Sequence, residues 1–186
     1  GLGVEDFGKY TFAFGFTTIF SVLVDVGLAS VLTREIAKFR DRAKNLLSNL
    51  LGLKIILSFF VYILIVVLIN VLNYPTLTKQ LVYLTGLIML LDNFSTTFWA
   101  TLRGCQNLKY ESLGISIFQS IVLLLGGLLL FLPTSFPVVY FVGAVLLASL
   151  FNTVFSFSQV CRRLKIKPKL LFHYQTLFSL LKISWP

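Results

Sequence analysis

Long apolar runs constrain this chain more than any other feature of its sequence. Five runs occupy residues 10–32, 46–72, 81–102, 112–132 and 138–161. A bilayer core about 30 Å thick needs about 20 apolar residues at 1.5 Å per residue, and each run is at least that long. The runs are apolar throughout instead of alternating over ten-residue segments, which disfavours a β-barrel. We therefore predict an all-α polytopic membrane bundle with five transmembrane helices.

Composition and the absence of enzyme motifs support the same class. Only 12% of the 186 residues are charged, against about 25% in soluble domains. Cys105 and Cys161 are too few for a disulfide framework, and His173 is the single histidine. No phosphate-binding Gly-rich loop, zinc-protease motif or serine-hydrolase motif occurs. We expect a transporter with no catalytic residue, no metal site and no cofactor, apart from H⁺ or Na⁺ as a coupling ion.

The 16 Lys and Arg residues, against 7 Asp and Glu, predict how the chain crosses the membrane. Thirteen of the 16 follow the first, third and fifth runs, whereas Lys9 and Lys79 fall on the opposite side. Because short cytoplasmic loops carry the positive excess, we expect residue 1 outside and residues 162–184 in the cytoplasm, in an inner or plasma membrane. An outside start without a signal peptide, and a Trp-Pro end that resembles the start of another span, indicate a slice of a longer transporter. Nucleic acid is not an expected partner.

The terminal segment, residues 162–186, is basic and has its own pattern. Apolar residues recur at helical spacing between Leu170 and Leu181, and basic or polar residues, His173 among them, occupy the other faces. This pattern predicts either an amphipathic helix on the cytoplasmic interface or a linker helix packed on neighbouring spans.

Three ionisable side chains fall within the runs, where each costs about 2.5 to 3.5 kcal/mol on insertion scales. Asp25 lies about 12 Å above the cytoplasmic end of its helix, and Lys54 about 13 Å above the start of the next. Equal depth makes an ion pair possible. The pair either belongs to an ion or substrate pathway or only neutralises two charges, and Lys54 can also extend towards the cytoplasm.

Asp92 and its neighbour Asn93 lie near the middle of the third run. If they face a cavity, they are candidates for exchanging a proton or coordinating Na⁺ during transport. If they face other helices, they hydrogen-bond within the bundle. For Gln119 and Asn152 we favour hydrogen bonds between helices.

A last group lies where spans meet the cytoplasm. Arg34, Glu35 and Arg103 lie at the inner ends of the first and third runs, where cations complement helix C-termini and anionic headgroups. Alternatively, the guanidinium groups capture a phosphate-bearing substrate at the cytoplasmic mouth. Glu111 is interpreted as a favourable first-turn acid.

Three stretches resemble oligosaccharide flippases of the Wzx type, in the superfamily of MATE exporters and the lipid II flippase. They are residues 2–10 (LGVEDFGKY), residues 25–28 with 33–38 (DVGL and TREIAK), and residues 102–104 with 106–111 (LRG and QNLKYE). Their order, spacing and sidedness carry the resemblance over most of the chain. It implies a parent of about twelve to fourteen helices in two lobes, with this chain supplying about helices two to six of the N-terminal lobe.

The resemblance also implies a function. It is the movement of polyprenyl-diphosphate-linked oligosaccharide from the inner to the outer leaflet for cell-surface polysaccharide synthesis, by ion-coupled alternating access. The implied partners are the bilayer, that lipid-linked oligosaccharide, and a polysaccharide polymerase and glycosyltransferases. Two alternatives stay open: a MATE-like cation-coupled antiporter of small molecules, and a piece of a membrane glycosyltransferase.

Overall fold

The computed structural model describes residues 3–130 and 137–165, and within them every regular element is helical. The elements are α1 (Val4–Asp25), α2 (Leu28–Lys38), a 3₁₀ turn (Arg40–Arg42), α3 (Ala43–Val71), α4 (Thr76–Gly104), α5 (Lys109–Leu130) and α6 (Pro137–Arg163). Five segments of this part of the chain are long and apolar enough to cross a membrane. The predicted all-α membrane bundle is confirmed. The terminal segment from residue 166 onward, with its predicted amphipathic helix, lies outside the described residues.

The first predicted run is not one continuous helix. Val26 and Gly27 adopt left-handed backbone angles, with φ of 42° and 73°, so α1 ends at Asp25 and α2 starts at Leu28. Glycine adopts this conformation without a penalty, whereas a β-branched valine is strained in it. The expectation that Asp25 lies within an unbroken helix is therefore wrong. The residues on both sides of the break are apolar. Hydropathy therefore predicts one continuous span here.

Helix α4 is the centre of the bundle. It contacts α1, α2, α3 and α6, while α5 packs mainly on α6. A glycine permits one of these contacts to be unusually close: a Cβ atom added at Gly104 would lie 2.8 Å from Ile36 Cβ and 2.9 Å from the Thr33 carbonyl oxygen. The α2–α4 crossing therefore depends on the absence of a side chain at this position.

The apolar core is divided into two clusters by a polar layer. One cluster joins α2 to the adjoining ends of α3 and α4, and the other joins α1, α6 and the opposite ends of α3 and α4. On α3, Lys54 lies between Leu51 of the first cluster and Val61 of the second. Asp25 at the end of α1 and Asn93 on α4 both contact Lys54, so they lie at the same level. The buried ion pair thus lies between the two apolar clusters, while buried hydroxyl groups such as those of Thr85 and Thr101 lie at other depths.

The basic segments meet at one end of the bundle. The Arg40 guanidinium donates a hydrogen bond to the carbonyl of Cys105, and the Arg163 guanidinium lies 4.8 Å from the centre of the Tyr110 ring. The segments after the first, third and fifth spans therefore share an end, as the charge pattern requires. The side of the membrane on which that end lies stays a prediction.

Aromatic side chains gather at the opposite end. The Phe12 and Tyr74 rings are 4.8 Å apart, and Tyr10 meets Phe141 edge-on at 5.7 Å. Tyrosines are enriched where helices meet a membrane interface, because their rings are apolar and their hydroxyls polar. This end is consistent with a second interface.

Candidate functional site

A buried ion pair lies at the polar level of the core. Lys54 on α3 has no exposed side-chain surface, and its Nζ is 2.5 Å from Asp25 Oδ1, while the Asp25 side chain is 27% exposed. Lys54 Nζ also donates to the carbonyl oxygen of Asn93 on α4, at 3.3 Å. The ion pair that equal depth made possible is formed, and it joins α1, α3 and α4.

The break in the first span explains why this pair stabilises the bundle. Asp25 is the last residue of α1, and a carboxylate there adds to the partial negative charge of the helix C-terminus. Lys54 places a full positive charge against both. Burying an unpaired ammonium costs free energy. Removing the Asp25 carboxylate should therefore destabilise the protein at least as much as removing the Lys54 ammonium.

Asp92 and Asn93 are adjacent on α4 but differ in burial and in hydrogen bonding. Asn93 is buried, and its Nδ2 donates to the Met89 carbonyl oxygen at 3.0 Å. Both residues line a cleft of about 230 Å³ between α1 and α4, and Asp92 is the less buried of the two. Successive residues on a helix are rotated by about 100°, which separates the two faces. The Asn93 amide is therefore bonded within α4, whereas the Asp92 carboxylate is the more available of the two to a ligand.

Hydroxyl groups surround Asp92 in this first cleft. They belong to Thr17, Thr18, Ser21, Thr85 and Thr96. The Thr18 hydroxyl donates to Phe14 O at 2.8 Å and the Thr96 hydroxyl to Asp92 O at 2.8 Å. Because those protons are used within the helices, the hydroxyl oxygens keep lone pairs for a ligand. A carboxylate among such oxygens is suited to hydrated or bare cations.

A second cleft, of about 260 Å³, lies between α4, α5 and α6 and shares Asp92 with the first. Arg103 on α4 and Glu111 on α5 line it, with Arg103 Nε 3.2 Å from Glu111 Oε2. Glu111 is thus the ionic partner of Arg103, in addition to being a first-turn acid. Trp99 and Asn152 also line this cleft.

The expected role of Asn152 as a bridge between helices is not what the structure shows. Among the described residues, Asn152 Oδ1 has no hydrogen-bond partner. Thr153 instead connects α6 to α4, because its hydroxyl oxygen is 2.8 Å from the Ser95 hydroxyl oxygen and 3.0 Å from the Leu91 carbonyl oxygen. Gln119, also expected to bridge helices, is exposed and lines the second cleft.

Arg34 and Glu35 lie near the end of α2, next to the close α2–α4 crossing. Arg34 is exposed. Glu35 Oε1 is 3.5 Å from Lys38 Nζ, one turn along the same helix. The structure therefore places these two residues at the basic end of the bundle but does not bring them into either cleft.

Sequence reasoning missed the clefts because their lining residues are individually ordinary. On α4, Asp92, Thr96 and Arg103 recur at intervals of four and seven residues, which places them on one face. On α1, Thr18 and Ser21 share a face in the same way. A search for polar residues at helical spacing within apolar runs would have found both faces, although not their pairing.

The chain matches the model of a family described as polysaccharide biosynthesis protein, over residues 1–186. It belongs to that family, and the five span-length segments among its described residues make it a membrane protein of polysaccharide biosynthesis. No curated protein and no solved structure matches the chain significantly.

Proposed function

We propose that this protein is a Wzx-type flippase that moves polyprenyl-diphosphate-linked oligosaccharide from the inner to the outer leaflet of the cell membrane. The observation that carries the proposal is the pair of polar clefts that meet at Asp92 within the membrane-spanning bundle. A glycan must cross the membrane along polar groups, while its lipid tail can stay in the bilayer. Membership of the polysaccharide biosynthesis family supports the same substrate class.

The proposed mechanism is alternating access coupled to H⁺ or Na⁺. Asp92 and the hydroxyl oxygens around it would take the ion in the first cleft, and the glycan would pass along the second. Because the clefts share Asp92, occupancy of one changes the charge presented to the other. In this proposal the basic end faces the cytoplasm, where glycosyltransferases assemble the substrate, and a polymerase receives it outside.

Reconstitution of the full-length protein tests the proposal. Liposomes would carry a lipid-linked oligosaccharide, and a membrane-impermeant glycosidase added outside would report on glycans that reach the outer leaflet. We expect protein-dependent movement that responds to an imposed H⁺ or Na⁺ gradient. Absence of movement under every gradient would refute the proposal.

Two arms of the same experiment address the alternatives. Gradient-driven movement of a small organic cation, without movement of the glycolipid, would indicate a MATE-like antiporter. Transfer of radiolabelled sugar from a sugar nucleotide to the lipid would indicate a glycosyltransferase, and we expect neither result.

A further inference from the structure

Unsatisfied polar atoms converge on the second cleft, between α4, α5 and α6. Trp99 is only 3% exposed, yet its Nε1 has no hydrogen-bond partner among the described residues, and the same holds for Asn152 Oδ1. Buried polar atoms are normally satisfied, because an unmade hydrogen bond costs free energy. Trp99 and Asn152 line one cleft, and the unpaired donor and acceptor on them indicate that it binds a polar ligand.

The charges of the cleft limit what that ligand can be. Arg103 is paired with Glu111 at 3.2 Å, and Asp92 adds a further carboxylate, so the lining has no excess positive charge. A diphosphate would need such an excess. A sugar ring instead presents hydroxyl groups that both donate and accept, which fits one indole N–H, one amide oxygen and an ion pair.

The size and rigidity of the cleft agree with a sugar. Its volume of about 260 Å³ is far above the roughly 30 Å³ that one water takes up in the liquid. A Cβ atom at Gly114 would lie 2.5 Å from Trp99 Cζ2, so this glycine lets the indole lie directly against α5. The Phe155 ring supports the indole from α6, with ring centres 6.1 Å apart. The indole N–H is therefore held in place before a ligand arrives.

We propose that this cleft binds one uncharged sugar residue of the transported oligosaccharide, an inference that rests on the proposed function. Trp99 Nε1 donates to a sugar hydroxyl and Asn152 Oδ1 accepts from another. Gln119, which is exposed on α5, contributes at the open side. The diphosphate is bound elsewhere in the full-length protein.

Binding to the purified full-length protein in nanodiscs tests this assignment with two probes. One is the oligosaccharide released from its carrier by mild acid, and the other is polyprenyl diphosphate without sugar. We expect Trp99→Phe and Asn152→Leu each to weaken oligosaccharide binding by about tenfold, because each removes one buried hydrogen bond. Binding of polyprenyl diphosphate should not change. Asn152→Asp keeps the acceptor and should retain most of the affinity.

Two further variants keep the test decisive. Gln119→Ala changes an exposed side chain, so it should fold normally and still weaken oligosaccharide binding severalfold. Asn70→Leu, near the opposite end of the bundle, is the matched control and should leave both probes unaffected. Unchanged oligosaccharide binding in Trp99→Phe, Asn152→Leu and Gln119→Ala would overturn the assignment. Equal weakening of the binding of both probes would overturn it as well.

The result of the binding assay can be distinguished from the result of the transport assay. Variant-sensitive oligosaccharide binding by a protein that does not move the glycolipid would refute the flippase and leave the sugar site standing. Normal movement of the glycolipid with variant-insensitive binding would refute the sugar site alone.

Discussion

Replacing either member of the Asp25–Lys54 pair tests whether the polar level of the core is held by this interaction. Asp25→Asn leaves a fully buried ammonium without its carboxylate, whereas Lys54→Met leaves a carboxylate whose side chain is 27% exposed. The two single variants remove the same pair but strand different charges. We therefore expect unequal losses of stability.

The burial of the two side chains sets the expected loss of stability in each variant. Removing one partner of a buried pair costs about 3–5 kcal/mol, and Asp25→Asn should fall in that range. Lys54→Met should cost less, about 1–3 kcal/mol, because the remaining Asp25 is less deeply buried than Lys54, although the Lys54–Asn93 hydrogen bond is also lost. In the double variant no charge is stranded. Its loss should therefore be smaller than that of Asp25→Asn alone.

The free energy of unfolding can be measured by SDS titration of the full-length protein in mixed micelles. Lys9→Met is the matched control, since Lys9 pairs with Glu5 one turn away at a position where Glu5 is 84% exposed, and it should have little effect. Strictly additive losses in the double variant would refute direct coupling between Asp25 and Lys54. Equal losses in the two single variants would refute the argument from exposure.

The remaining predictions concern two glycines and the carboxylate that the clefts share. Gly104→Ala should destabilise the protein by about 1–3 kcal/mol, because the new Cβ would lie 2.8 Å from Ile36 Cβ; Gly8→Ala, with no atom within 4 Å of its new Cβ, should not, and equal effects in SDS titration would contradict this. Gly27→Ala should cost about 1–2 kcal/mol in the same titration, because φ is 73° there, and an unchanged unfolding midpoint would show that the break is not required. Asp92→Asn should reduce surface glycan in a complemented strain without reducing membrane insertion, and undiminished glycan would argue against a role for Asp92 in transport.

Much of the fold follows from the sequence because hydropathy and charge act locally. The apolar runs predict the helices, and counting residues to equal depth on consecutive spans made the Asp25–Lys54 pair possible before the structure showed it. Glycine at position 27 was the available signal for the break in the first span. It was outweighed by the apolar residues on both sides, and its effect depends on Val26 also accepting a left-handed conformation.

The candidate site was less accessible from the sequence. Asp92 and Asn93 are neighbours with the same depth and similar polarity, and only the rotation of α4 against α1 and α3 buries Asn93 more deeply than Asp92 in the cleft that both line. Glu111 was interpreted through its position in a first turn, whereas its contact with Arg103 depends on how α5 lies beside α4.

The sequence by itself determined the class of protein, the positions of the apolar spans and which ionisable residues share a depth. These properties follow from the free energy of moving each side chain from water into lipid, which depends on residue type and spacing. Tertiary structure alone decided which of those polar residues face one another, because that depends on the rotation and crossing of helices. The Trp99 indole held against Gly114, the divided apolar core and the two clefts that meet at Asp92 are consequences of that packing.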